Sequence, residues 1–537
     1  MNSNMSSSNI GARKRRNIRD NLFVINAILH DIKENKKASI DLEIYDVRKC
    51  FDKMWSSETA NDIFDVGVKD DTFVLISNYN KSCQIAVKTP WGSITPRVEF
   101  KNVEMQGGVL TPLKCSVQMD TLGSDCLNSL ENSAILYKYK DCVKIPPLEM
   151  IDDVLTVTDC SIKSVKMNAL VQSKVDCKKL ELSNTKCFKM HIGQDTANCP
   201  SLTVHQKEML SSKQEKYLGD VLSSDAKIDE NIKMRHDKGI GIINQIMSIL
   251  KEISFGMFHF EIGMLLRTTM LVNGILFNTE ALHNIQQRHI DQLEECDKMF
   301  MRRLFDAEQG TPIESFYLDS SAWPLRFIIM GRKFMYYWTL LRKSESELVK
   351  QVFDAQRKFP SKKNNDWVSE VQGDLKSCDI NYTAEQIRSM SQFKFKQIIK
   401  EAIQLKVMAY LFALQNKHSK SEKLILKSKM QSYLLSCEIS TLNKKTLFKL
   451  RTKMLNIKAN FSSMNMNNLQ CSLCKAISTT ENEEHLLICS VLVNHPKLKD
   501  DIGHVKFEDV FSDEKKQVRA VKVFKQIMEI YEIMKSQ

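Results

Sequence analysis

Ile40-Asp41-Leu42-Glu43-Ile44-Tyr45-Asp46 is the stretch from which the fold can be read. Successive side chains of a strand point to opposite faces, so Ile40, Leu42, Ile44 and Asp46 share one face. Three aliphatic residues followed by a carboxylate describe a buried strand that delivers an acid at its end. A second stretch, Glu149-Met150-Ile151-Asp152-Asp153-Val154-Leu155-Thr156-Val157, sets two adjacent aspartates between apolar, β-prone flanks. The other Asp-Asp pairs, Asp70-Asp71 and Asp500-Asp501, lie in polar or charged surroundings and read as loops. Paired anions in an apolar setting repel and resist desolvation. A divalent cation such as Mg²⁺, which takes hard oxygen ligands, resolves that conflict. Two strands that bring Asp46, Asp152 and Asp153 together would make a two-metal centre for in-line phosphoryl transfer. A hairpin turn with partly solvated acids is the other reading of the same residues.

Outward from these strands the pattern is mixed from about residue 20 to 225. Helical spacing is predicted over Asn21 to Glu34 and around Lys53 to Phe64, and short β-type runs at Phe73 to Ile76, Gln84 to Val87 and Arg97 to Phe100. Thr111-Pro112 has the form of an N-cap followed by proline at the first helical position. Beyond 225 few Gly or Pro interrupt the chain. Helices are predicted over Asn231 to Leu250, His289 to Phe305, Pro324 to Lys343, Phe393 to Gln415 and Val518 to Met534. Residues 1–10, polar and rich in Ser and Asn, are expected to be disordered.

A chain of 537 residues with 43% hydrophobic and 26% charged residues has the composition of a globular protein of several units, not of a fibre or a disordered chain. The most apolar stretch, Ile262 to Phe277, is broken by Arg267 and Asn273, so no membrane association is expected. The N-terminus lacks the apolar core of a signal peptide. Fifteen widely spread cysteines suit a reducing compartment, where some serve as metal ligands. A nuclear or cytoplasmic protein is expected.

The formal charge of +12 is concentrated in one window: residues 391–460 hold 15 Lys and Arg against three Glu, so 15 − 3 = +12. Phe393, Phe395, Tyr410, Phe412, Tyr433 and Phe448 are interleaved with these cations. Lysines such as Lys423, Lys427 and Lys429 can neutralise phosphates while aromatic faces stack on unpaired bases. A solvated helical face with aromatics in its core fits the same pattern. Arg13, Lys14, Arg15 and Arg16, with Arg19, form a second basic patch.

Cys471-Ser-Leu-Cys474, ten residues, then His485-Leu-Leu-Ile-Cys489 supplies four soft ligands in one short segment. Thr480 and Glu483 have capping-box spacing, which would set His485 and Cys489 one turn apart on a helix face. One structural Zn²⁺ is expected here, with His495 as a nearby substitute ligand.

The ordered motifs resemble those of non-LTR (LINE-like) retrotransposon reverse transcriptases. Asp46-Val-Arg-Lys-Cys-Phe51-Asp52 is similar to the family's first catalytic motif, an aspartate followed by Ala/Cys-Phe-Asp. Gly11-Ala-Arg-Lys-Arg-Arg-Asn-Ile-Arg-Asp20-Asn21 resembles the preceding fingers segment, and Gln106-Gly107-Gly108-Val-Leu-Thr111-Pro112-Leu113 the Gln-Gly…Ser-Pro-Leu motif beside template and nucleotide. Met150-Ile151-Asp152-Asp153 stands where the family has Tyr/Phe-Ala-Asp-Asp. Asn184-Thr185-Lys186 resembles the following lysine motif and Lys216-Tyr217-Leu218-Gly219 the primer grip. The Cys/His segment is similar to the CCHC knuckle found after many such polymerases, a region implicated in holding element RNA or target DNA.

The resemblance implies an RNA-directed DNA polymerase that extends a DNA primer on an RNA template with dNTPs. Asp46, Asp152 and Asp153 would hold two Mg²⁺ and Lys186 would be the general acid. Phe51 would exclude a ribose 2′-hydroxyl, Gln106 and Gly107 would border the substrate, and Tyr217, Leu218 and Gly219 would grip the primer. The implied fold is α+β, a right-hand palm with partial fingers (11–225) and a thumb-like helical region (226–310). A helical, basic nucleic-acid-binding region (311–460), the zinc knuckle (461–495) and a helical tail (496–537) would follow. The chain is expected to begin inside the fingers and to carry no endonuclease segment. The companion reading is a retroelement-derived nucleic-acid-binding protein with impaired or no turnover.

Overall fold

Asp46 ends the middle strand of a five-stranded sheet in the computed structural model of the chain, which describes residues 5–35, 38–78, 84–99, 104, 107–193, 201–252, 256–461, 469–476, 479–498 and 500–536. The architecture is mixed α+β. Its two compact units are discontinuous: 1–231, 278–285 and 332–395 form the first, and 232–277, 286–331 and 396–537 the second. In this division 278–285 belongs with the first unit, and 311–460 is shared between both.

In the first unit, α1 (Ile18–Glu34) precedes β1 (Ile40–Asp46), and α2 (Thr111–Met119) follows it. The hairpin β2 (Leu148–Met150) and β3 (Asp153–Thr158) leads into α3 (Ser161–Cys177), β4 (Phe188–Ile192) and β5 (Leu210–Ser211). The order across the sheet is β5-β4-β1-β3-β2, with β1 antiparallel to both β3 and β4. Without the edge strand β5 this is a β-α-β-β-α-β unit of the split βαβ type.

The expected alternation along β1 is overlaid by burial on both faces, because the strand is central: Ile40 through Tyr45 are buried and Asp46 is half-buried. Its second face is polar yet covered by α3. Tyr45 Oη donates to Asn168 Oδ1 at 3.2 Å, and the hydroxyls of Thr156 and Ser164 donate to the Glu43 carboxyl. Burial pushes Glu43 up to about 8, against these hydrogen bonds. A raised folded-state pKa contributes stability that is full below the ordinary carboxylate value of 4.5 and is lost as pH rises through about 8. Glu43→Gln keeps the shape and cannot ionise. Denaturant titrations should therefore show the variant losing less stability than the parent across that interval; equal slopes would contradict a protonated Glu43.

Several local expectations change. Residues 5–10 are packed rather than disordered: Ser6 N donates to the Asp120 carboxylate at 2.9 Å, and Ser8, Asn9 and Ile10 are buried. Asp70-Asp71 opens a helix, Asp70–Asn78, that takes in the strand predicted at 73–76. Two acids in a first turn suit the helix dipole. Phe73 and Ile76, three residues apart, pack together against the small cluster of Ile63, Val68 and Val117. The other β runs shrink to Gln84–Ile85 and Val98–Glu99. Leu110 is the N-cap of α2, one residue before the predicted Thr111.

The second unit is helical: α4 (Asp229–Glu252), α5 (Gln287–Phe305), α6 (Gln392–Gln415), α7 (Thr441–Arg451), α8 (Glu483–Ile488) and α9 (Glu514–Ser536); α7 lies outside the predicted helices, α8 is the helix expected in the Cys/His segment, and the others recover predicted helices, α4 and α6 beginning just before the unit does. Phe448 stacks on Phe316 with centroids 5.2 Å apart and lies 4.5 Å from Phe305, so it belongs to the core. One stretch, His259–Ala281, is long and apolar enough to cross a membrane by length and composition. Its Arg267 is buried in a paired contact with Asp297 at 2.6 and 2.7 Å, and Tyr317 Oη donates to the same carboxylate at 3.0 Å.

Candidate active site and metal centre

The β2–β3 hairpin closes through Ile151 and Asp152, with Met150 opposite Asp153. Ile151 has φ +62°, a region that β-branched residues seldom enter and that glycine usually fills at this turn position. Such strain costs about 1–3 kcal/mol and persists where neighbours over-determine the backbone. Here the N-terminal segment does so. Asn9 bridges to Glu149, Ile10 N donates to Glu149 O at 3.0 Å, and Glu149 N donates to Ser8 O at 3.3 Å. Gly11 fits because it lacks a side chain: a Cβ there would lie 2.8 Å from Ile151 N and 2.6 Å from Ser116 Oγ. Nothing in the motif comparison singled out Asn9 or Glu149.

The register sets Asp46 directly opposite Asp153, with Asp152 on the adjoining turn. The three carboxylates sequence reasoning selected are therefore together, and the hairpin-turn reading holds at the same time. All three are half-buried. Burial, then Asp46, raises the Asp152 pKa; burial, then Asp152 and Asp46, pushes Asp153 up to about 6. Repelling oxygen donors in a half-desolvated cluster are what a divalent cation offsets.

Lys186 Nζ lies 3.5 Å from Asp46 Oδ1. Its loop is tied to the end of β1, since Ser183 N donates to Asp46 O at 2.9 Å and Val47 bridges to Leu182. A pocket of about 400 Å³ opens in front, lined among others by Asp46, Arg48, Lys49, Phe51, Asp152 and Lys186. Phe51 is half-buried and packs on the core while lining this pocket. Gly107 has φ +86° with open space where a Cβ would be, and Gln106 lies outside the described residues.

The residues expected to grip a primer divide. Hairpin β6 (Gln214–Tyr217) and β7 (Asp220–Ser223) turns through Leu218 and Gly219 at φ +49° and +90°. Tyr217 is 2% exposed and its hydroxyl donates to Leu148 O at 3.2 Å. It anchors the hairpin and is not a contact surface; Leu218 and Gly219 form the tip. The N-terminal basic patch also divides. Arg13 is buried and donates to Asn9 O at 2.8 Å, and Arg16 pairs with Glu347 at 3.1 Å. Lys14 and Arg15 stay exposed.

In the basic window Phe395, Tyr433 and Phe448 are buried, which corrects the stacking expectation for them. Tyr410 lies beneath Arg326, 4.8 Å from the guanidinium. Phe393 and Phe412 are exposed. Lys423 sits over Phe507 and is 3.6 Å from Glu508, whereas Lys427 and Lys429 are exposed without ion pairs among the described residues.

Cys471, Cys474, His485 and Cys489 meet, their ligand atoms all within 4.8 Å of one another. Cys471 Sγ is 3.9 Å from Cys489 Sγ, and Cys474 Sγ is 3.4 Å from His485 Nε2. Tetrahedral Zn–S bonds imply an S···S edge of about 3.8 Å. Burial pushes the Cys471 thiol up to about 12 and lowers the His485 pKa; a bound cation offsets the first and neutral imidazole suits ligation. The cluster could hold zinc. His495 is not part of it. Asn482 caps α8, not Thr480, because its side chain accepts from His485 N at 2.8 Å. Glu481, missed by motif reading, accepts from Ser472 N at 2.7 Å, Lys458 N at 3.0 Å and Tyr531 Oη at 2.7 Å. It ties the Cys-x2-Cys turn to α9.

No protein-family model matches the sequence and no curated protein matches it. Among solved structures, similarity is found to apo telomerase from Candida tropicalis, at 10% identity and TM-score 0.33, covering 70% of this chain and 56% of that one. A form of that enzyme truncated from its C-terminal domain matches at 12% identity and TM-score 0.28, covering 39% of each chain. Telomerase from Candida albicans in complex with a TWJ fragment of telomeric RNA matches at 11% identity and TM-score 0.28, over 62% of this chain and 54% of that one. The chain thus spans less than two thirds of the length of these telomerase chains. Scores this low assign no function, and the functional reading rests on the site.

Proposed function

We propose that this chain is an RNA-directed DNA polymerase of the non-LTR retroelement type, extending a primer 3′-hydroxyl with dNTPs on an RNA template. The observation that carries the reading is Asp46 facing Asp153 across the β1–β3 register, with Asp152 on the adjoining turn, before a pocket of about 400 Å³. That volume suits one nucleotide-sized ligand. The ordered motifs that resemble non-LTR reverse transcriptases supply the reaction class.

Asp46, Asp152 and Asp153 would hold two Mg²⁺. Bound there, the ions supply activation of the primer hydroxyl and charge compensation for departing pyrophosphate. Lys186, 3.5 Å from Asp46, would give a proton to that pyrophosphate. Phe51 on the pocket wall would bar a ribose 2′-hydroxyl, selecting dNTPs. The tip residues Leu218 and Gly219 would approach the primer backbone, held by buried Tyr217. The knuckle would hold one Zn²⁺, and the site of action would be nuclear or cytoplasmic. A second reading, a nucleic-acid-binding protein with little turnover, is favoured by Met150-Ile151 standing where the resembled family has Tyr/Phe-Ala. Primer extension with dNTPs and Mg²⁺ separates the two.

Lys427 and Lys429 would contact nucleic-acid phosphates, with Lys423 contributing less because Glu508 shares its charge. Lys427→Gln/Lys429→Gln should weaken binding equally for unrelated RNA sequences and reduce the slope of log K against log salt by about 1.4, roughly 0.7 per lost single-strand contact. Anisotropy titrations across salt check this; an unchanged slope would return the window to a solvated face.

A further inference from the structure

Behind the pocket wall two thiols meet that neither the carboxylates nor the Cys/His cluster uses. Cys50 Sγ and Cys115 Sγ lie 3.2 Å apart, a direct contact between residues 65 positions apart in sequence. Cys50 opens the short helix Cys50–Lys53 that follows β1, and Cys115 lies in α2. Both are buried, at 3% and 0% exposed. Cys50 nevertheless lines the pocket of about 400 Å³ in front of Asp46, whereas Cys115 sits behind it.

Buried cysteines are by default small core residues, and both belong to the first unit's apolar cluster. Two observations set this pair apart from that role. The sulfurs touch each other, whereas Cys187 of the same cluster turns its sulfur to Asp46 O at 3.9 Å. One of the two thiols also borders a pocket through which a small molecule can reach it. Among the described residues no third His, Cys or carboxylate completes a metal site with them. What remains is the chemistry of a dithiol.

Access sets the order of events. The hydrogen bond with Cys50, then burial, holds the Cys115 thiol well above its ordinary value, so Cys115 is not the thiol that meets an oxidant first. Hydrogen peroxide entering the pocket would reach Cys50. The Cys50 sulfur attacks one peroxide oxygen, the O–O bond breaks, and a sulfenic acid and one water result. The Cys115 sulfur then attacks the Cys50 sulfur, the S–O bond breaks, and the hydroxyl leaves with the Cys115 proton as a second water. Each sulfur loses one electron and the peroxide gains two. Closing the contact to an S–S bond of about 2.05 Å brings the sulfurs roughly 1 Å nearer. In a reducing compartment such a bond is transient and serves as a sensor. We propose that Cys50 and Cys115 form a hydroperoxide-responsive modification site, whose reversible disulfide ties the chain after Asp46 to α2 and fixes the pocket wall that carries Phe51. This chemistry is independent of what the pocket binds.

The test exposes the folded full chain, purified with zinc present, to a small excess of hydrogen peroxide. The protein is then unfolded in N-ethylmaleimide to block remaining thiols, and its peptides are mapped by mass spectrometry. A disulfide-linked pair of Cys50 and Cys115 peptides should appear and vanish on treatment with dithiothreitol. It should form roughly tenfold or more faster in folded protein than in urea-unfolded protein, because the fold holds the thiols together. In Cys115→Ala a sulfenic acid at Cys50 should be trapped by dimedone, and in Cys50→Ala the Cys115 thiol should stay free. Both thiols recovered as maleimide adducts, while exposed Cys142, Cys160, Cys177 and Cys437 are oxidised, would return the pair to core filling. Equal rates of bridging in folded and unfolded parent would also overturn the assignment, and that comparison needs neither variant to fold.

Discussion

Asp152→Asn is expected to lower nucleotide incorporation by on the order of 10³-fold or more while leaving the fold intact. The substitution keeps the side chain's volume and removes its charge, so a loss reflects metal holding and not packing. Burial and neighbouring Asp46 already raise the Asp152 pKa, which means the folded state disfavours the ionised acid. A neutral amide should therefore leave the melting temperature unchanged or slightly higher. In the parent, Mg²⁺ should raise the melting temperature, because a ligand that binds only the native state stabilises it by mass action. Asp152→Asn should lose much of that increment. A variant that keeps both turnover and the Mg²⁺ increment would remove Asp152 from the site.

The zinc centre carries the second large expectation. Purified protein should contain about one zinc per chain, and Cys471→Ser/Cys474→Ser should contain none. Structural zinc is worth about 10–16 kcal/mol in small zinc-finger peptides, where binding and folding are one event. Here the consequence should spread along a defined route. Glu481 joins the Cys-x2-Cys turn to Tyr531 of α9 and to Lys458, so loss of metal should loosen all three. Hydrogen exchange should speed up over 457–498 and in α9, with little change in the first unit's sheet. Unchanged protection in a metal-free variant would make the cluster a chance meeting of buried cysteines.

What could be read from sequence was what depends on local pattern. The β1 strand, the aspartate hairpin and the Cys/His spacing all lie within short windows, and each window is recovered. What escaped depends on contacts distant in sequence. Asn9 and Glu149 meet across 140 positions, so no periodicity could show that residues 5–11 brace the Ile151 turn. Arg13 and Arg16 look like free cations until Asn9 O and Glu347 are seen beside them. Tyr217 fits a contact motif, yet its hydroxyl is spent on Leu148 O. Phe73 and Ile76 misled because an apolar run this short fits both periods, and packing on Ile63 and Val68 decided for helix.

Primer extension tests the central claim most directly. The parent protein, with Mg²⁺, dNTPs and a DNA primer annealed to an RNA template, should lengthen the primer in template order and incorporate dNTPs in preference to NTPs. Asp46→Asn and Asp152→Asn should each abolish extension while still binding the annealed primer. Extension by neither parent nor variants, from folded and primer-binding protein, would contradict the account, as would extension that survives loss of these aspartates.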